Sequence, residues 1–137
     1  HGYLDNEEEG IEAFSKFIEV YPVSWAARND MAWLQFRIGN IEGALETMEP
    51  VSFINNPWVQ NTHGSLLMNS GDYTSAAKAF AKASEAIKDM TPTEWGQAYP
   101  GNHPAIYEVG ISAMKRSIQE NQALLYEKML SPSDFTN

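Results

Sequence analysis

At 137 residues, 43% hydrophobic and 20% charged, the chain fits one globular domain with its own core rather than a disordered segment. Its net charge of -9 repels phosphate backbones and anionic lipid, and no apolar run approaches the ~20 residues of a membrane helix, so neither nucleic acid nor membrane insertion is expected. The absence of Cys excludes a disulfide frame, a thiolate metal site and a thiol nucleophile, and it leaves the compartment open between cytoplasm and periplasm. There is no starting Met and no secretory apolar stretch, so the expectation is a mature, trimmed or excised piece of something longer.

The first seven residues, HGYLDNE, have no periodicity and read as a lead-in. From Glu8 to Tyr21 the residues Ile11, Phe14, Phe17, Ile18 and Tyr21 recur at helical spacing, with acids in the first turn and Pro22 as a stop. A second helix runs from Ser24, its N-cap, to Ile38 on the stripe Ala27, Met31, Leu34 and Ile38, and Gly39-Asn40 turns the chain. A third helix begins at Ile41, buries Ala44, Leu45 and Met48, and is cut short or distorted by Pro50. A fourth opens on Pro57 after Asn56 and ends at Ser70, before the turn Gly71-Asp72. The fifth, Tyr73 to Lys88, sets small residues around one large side chain, Phe80. Thr91 to Asn102 holds two Pro, two Gly, Trp95 and Tyr99, and reads as an ordered loop. A long amphipathic helix follows from Pro104 to about Met129.

Setting the turns on one another places Gly39 on Gly71, Ala44 on Ala76 and Met48 on Phe80, a period of 32, while Ala32 falls on Gly64 and Leu34 on Leu66. Further back, Ala13 falls on Ala44 and Phe17 on Met48, which completes only the second half of a unit. In Gly64, Gly71, Tyr73, Ala76, Phe80 and Ala83 the chain resembles the tetratricopeptide repeat family, with Gln60 and His63 standing where that pattern has Trp and Leu. The phrases NDMAWLQFRIGN and NTHGSLLMNSGDY also look like repeats of bacterial secretion-associated members. The resemblance implies an all-α fold, a right-handed superhelix of antiparallel helix pairs with a long C-terminal capping helix. It divides one domain, 1–137, into a half unit 8–22, units 24–56 and 57–90, the loop 91–102 and the helix 104–129.

The resemblance further implies a concave groove lined by the first helix of each unit and occupied by a protein or peptide segment. Its columns are Asn29 with Asn61, Trp33 with Ser65, Phe36 with Met68, and Arg37 with Asn69. If Gly110 continues the register, Tyr107, Ile111, Met114 and Lys115 extend them. Amides can bond an extended guest backbone and the large side chains give apolar area; Trp95 in the loop is a further contact candidate. The half unit leaves Phe14, Phe17 and Ile18 without a covering helix, so that face is expected to meet another copy of the chain or a missing repeat.

No reaction is indicated. His1, His63 and His103 lack ligand spacing, Glu7, Glu8, Glu9 and Glu12 suit a helix start, and there is no phosphate-cradling loop or HExxH pair. The expected role is a non-catalytic scaffold without cofactor; the alternative is an accessory subunit fixed in a larger assembly.

Overall fold

The computed structural model describes the backbone of residues 3–98 and 104–130 and the side chains of 6–97 and 107–130. His1, Tyr99, His103 and the tail after residue 130 lie outside the described residues. Among the described residues every regular element is helical: α1 Tyr3–Val20, α2 Trp25–Arg37, α3 Ile41–Met48, α4 Pro57–Ser70, α5 Tyr73–Lys88, α6 Pro92–Ala98 and α7 Pro104–Leu130. A 3-10 turn, Glu49–Val51, follows α3.

The helix starts follow from local chemistry. Ser24, Asn40, Asn56 and Asp72 are N-caps whose side chains accept from the backbone N–H of Ala27, Gly43, Val59 and Ser75, satisfying donors that the first helical turn leaves free. Gly39 and Gly71 take φ of 89° and 95°, the left-handed conformation that lets a helix close and the chain double back within two residues. Pro50 cannot donate to the ladder, so α3 tightens into the 3-10 turn after Met48.

Two segments differ from the sequence expectation. The lead-in is helical from Tyr3, because Glu7 is buried against α2 and makes a 2.7 Å ion pair with Arg37 that carries the helix back past Glu8. The segment expected as a loop from 91 to 102 contains α6. Thr91 and Glu94 form a capping box: the Glu94 N–H donates to Thr91 Oγ1 at 3.2 Å, and Glu94 Oε1 accepts from the Thr91 N–H at 2.9 Å. Pro92 then occupies a first-turn position, where its missing donor costs nothing.

The helices pack in chain order, α1 on α2, α2 on α3, α3 on α4 and α4 on α5, after which α5 and α6 both pack on α7. Alternate helices also touch, α2 with α4 and α4 with α7. Three buried clusters result. One joins Ala32, Ala44, Met48, Val51, Val59 and Leu66; a second Trp58, Ala83, Ile87, Trp95, Ile111 and Ile118; a third Met68, Ala76, Phe80 and Leu125. Each draws on at least three helices, so no pair of helices closes a core alone. α4 and α5 approach closely at Gly64, where an added Cβ would lie 2.6 Å from the Phe80 ring.

Candidate interaction surfaces

The expected groove columns fall mostly on seams between helices. Trp33 Nε1 of α2 donates to Thr62 Oγ1 of α4 at 2.9 Å. The next seam repeats this one: Asn121 Nδ2 of α7 donates to Ser65 Oγ at 3.3 Å and to Asn61 Oδ1 at 3.0 Å, while Asn61 Nδ2 donates to Ser117 Oγ at 3.2 Å. Trp33 stands one residue after Ala32 and Thr62 two before Gly64; Ser65 stands one after Gly64 and Asn121 two before Ala123. Equivalent places therefore meet at both seams, and the residue of α7 that matches Ala32 and Gly64 is Ala123. Leu34, Leu66 and Leu125 agree with that register, since each stands two residues further on.

This corrects the register expected from Gly110. An added Cβ on Gly110 would lie 2.5 Å from Trp95 Cζ2, so this glycine serves the α6–α7 contact. Tyr107 is half-buried against the second cluster, Ile111 lies inside it, and Met114 packs beside it, so the three do not prolong an open wall. Trp95 is buried at 9% exposure, held between Gly110 and Trp58, and is not a loop contact awaiting a guest.

Of the other groove residues, Asn29, Asn61, Ser65 and Met68 are buried by the chain's own helices. Asn61 and Ser65 spend their polar groups on α7, whereas Asn29 Oδ1 is a buried acceptor with no hydrogen-bond partner. The places equivalent to Ser117 and Asn121 beside Asn29 are Trp58 and Thr62, and Thr62 Oγ1 already accepts from Trp33. Trp33 and Phe36 are half-buried, with rings edge-on at 5.5 Å. Arg37 and Asn69 stay exposed, Arg37 bound to Glu7 and Asn69 Nδ2 to the Ser65 carbonyl at 2.8 Å.

Two structural roles escaped the sequence reading. Trp25, Trp58 and Trp95 form a row, Trp25 stacked on Trp58 at 5.5 Å and Trp58 tilted on Trp95 at 4.5 Å. The signal was a Trp at the start of α2 and of α4, with the third in α6. Gln60, a departure from the repeat pattern, is fully buried and donates through Nε2 to the carbonyls of Ser52 and Ile54, both at 2.9 Å, pinning the α3–α4 connection.

One open surface is mostly apolar. A cleft of about 400 Å³ between α1 and α2 is lined by Ala13, Phe14, Phe17, Ser24, Ala26, Ala27 and Asp30. Phe17 is 46% exposed and stacks on Tyr21 at 4.8 Å; Phe14 and Ile18 are half-buried. Burial at the cleft edge raises the Asp30 carboxyl above its ordinary 3.8. On α4 burial lowers the His63 imidazole below 6.5, assisted by Lys82 and opposed by Glu49. Among the described residues no group of three His, Asp or Glu stands where it could hold a metal ion, and no helix is long and apolar enough to cross a membrane. No family model, curated protein or solved structure matches this chain.

Proposed function

We propose that the chain is a non-catalytic interaction scaffold of the tetratricopeptide type, a right-handed stack of helix pairs that holds a protein segment. The repeated seam contacts, Trp33 to Thr62 and Asn121 to Ser65, support the stacked-pair reading. The observation that carries the binding role is the open α1–α2 cleft, whose walls are Ala and Phe with a single carboxylate at the edge. An apolar surface of this kind on a folded chain fits an amphipathic helix, whose burial there removes Phe17 and its neighbours from water. The binding surface is thus the cleft rather than the Asn61 and Ser65 columns, which the chain occupies itself.

The test is affinity capture from the source extract with the wild-type chain, Phe17→Glu and Trp33→Ala. The expected result is a set of proteins retained by wild type and by Trp33→Ala but lost on Phe17→Glu. Equal recovery by all three removes the cleft, and loss on Trp33→Ala alone returns the site to the groove. The second reading, a building block fixed in a larger assembly, is favoured by the apolar residues Leu124, Tyr126, Met129 and Leu130, which α7 leaves exposed.

A further inference from the structure

The two uncovered faces are of opposite kind. In α3 and the 3-10 turn after it the residues Ala44, Met48 and Val51, and in α5 the equivalent Ala76, Phe80 and Ala83, are all wholly buried. Their matches in α1 are Ala13, Phe17 and Val20; Ala13 is exposed, Phe17 is 46% exposed and Val20 67%. In α3 and α5 this row lies beside the preceding helix, whose contact residue is small: Met48 shares a cluster with Ala32, and Phe80 presses on Gly64. Hence α1 carries the large-residue face of such a pair, and no described helix precedes it.

At the other end α7 carries the small-residue face. Ala123 occupies the register place of Ala32 and Gly64, both buried, yet it is exposed. Around it Tyr126 is 65%, Met129 47% and Leu130 60% exposed. Among the described residues nothing packs on this side of α7.

We propose that a second copy of this chain fills the cleft: α7 of one copy seats on α1 and α2 of the next, with Phe17 over Ala123 as Phe80 lies over Gly64. The occupant follows from the molecule's own packing, because a helix bearing Ala or Gly at this place covers the same row in α3 and in α5. Charge agrees. Residues 7–20 hold five acids and one base, whereas residues 115–130 hold three bases and two acids, so α1 against α7 is favoured over α1 against α1, which would oppose two acidic faces. The contact joins different surfaces on the two copies, so each added copy brings a free cleft or a free α7 and the series grows until its rotation closes a ring. The proposal rests on the cleft being the binding surface and names its occupant.

The experiment is sedimentation equilibrium of the 137-residue chain from micromolar to millimolar concentration, with Phe17→Glu, Val20→Glu and Ala123→Arg, each checked for helix content by far-UV circular dichroism. All three side chains are exposed, so the variants keep the fold; Val20→Glu stands in should Phe17→Glu fail. Wild type is expected to rise through two-, three- and higher-chain species, and each variant alone to stay at the mass of one chain. An equimolar mixture of Phe17→Glu, whose α7 is intact, and Ala123→Arg, whose cleft is intact, is expected to form a two-chain species and stop there. A wild type that stays a single chain overturns the proposal, and so does a mixture that forms no pair or an assembly that Ala123→Arg leaves unchanged. A monomeric wild type whose captured proteins are still lost on Phe17→Glu overturns self-assembly alone and leaves the cleft reading standing. Assembly together with extract capture indifferent to Phe17 does the reverse.

Discussion

Gln60 and His63 stand one turn apart on α4, and each shows what a polar side chain does where the repeat pattern has an apolar one. Gln60 holds two backbone carbonyls that would otherwise be short of a donor. Gln60→Leu keeps the volume but orphans Ser52 and Ile54, so equilibrium urea unfolding is expected to show a loss of about 1–3 kcal/mol. His63 is held more readily neutral than an ordinary His, facing Lys82 and Glu49. Below pH 6.5 the unfolded chain takes up the proton before the folded one, so the stability associated with the neutral ring is fully present above pH 6.5 and lost as pH falls through the lowered folded value. Urea midpoints at pH 7.5 and 5.5 are expected to differ less in His63→Gln than in wild type. Equal differences would mean that His63 does not titrate on unfolding in this window.

At the scale of elements the turns and caps were legible because their chemistry is local. Ser24, Asn56, Pro57 and Gly71 each act through backbone groups within three residues, and the structure uses them as the sequence indicates. The helix α6 was missed although Thr91, Pro92 and Glu94 spell its start. Seven residues are too few for an apolar stripe, and the Pro and Gly around them suggest a loop. Thr91→Ala removes the Oγ1 acceptor of the Glu94 N–H and leaves only the backbone N–H of residue 91 donating to Glu94. The expected cost is about 0.5–2 kcal/mol, read as faster amide exchange confined to α6. Exchange raised throughout α5 and α7 as well would show that α6 has no separate local opening.

Across the whole molecule, what could not be read was which neighbour covers which face. The columns Asn29–Asn61 and Trp33–Ser65 span α2 and α4, and whether they line a groove or a seam depends on the register of α7. Hence Asn61 and Ser65 became internal bonds while Phe17, read from the half unit, stayed exposed. The helices meet at joints that the sequence does not adjoin, α2 with α4, and α4 and α5 with α7.

The row of Trp25, Trp58 and Trp95 makes those joints visible to light. Its rings come from α2, α4 and α6, and α2 and α4 meet nowhere in sequence, so the asymmetry each indole senses comes from another part of the chain. Near-ultraviolet ellipticity in this protein is therefore a signal of joint geometry, while far-ultraviolet ellipticity counts helical turns. Conditions that let the helices slide without melting are expected to erase the first and spare the second. The molecule thus carries its own optical gauge of whether its units are locked together or merely helical.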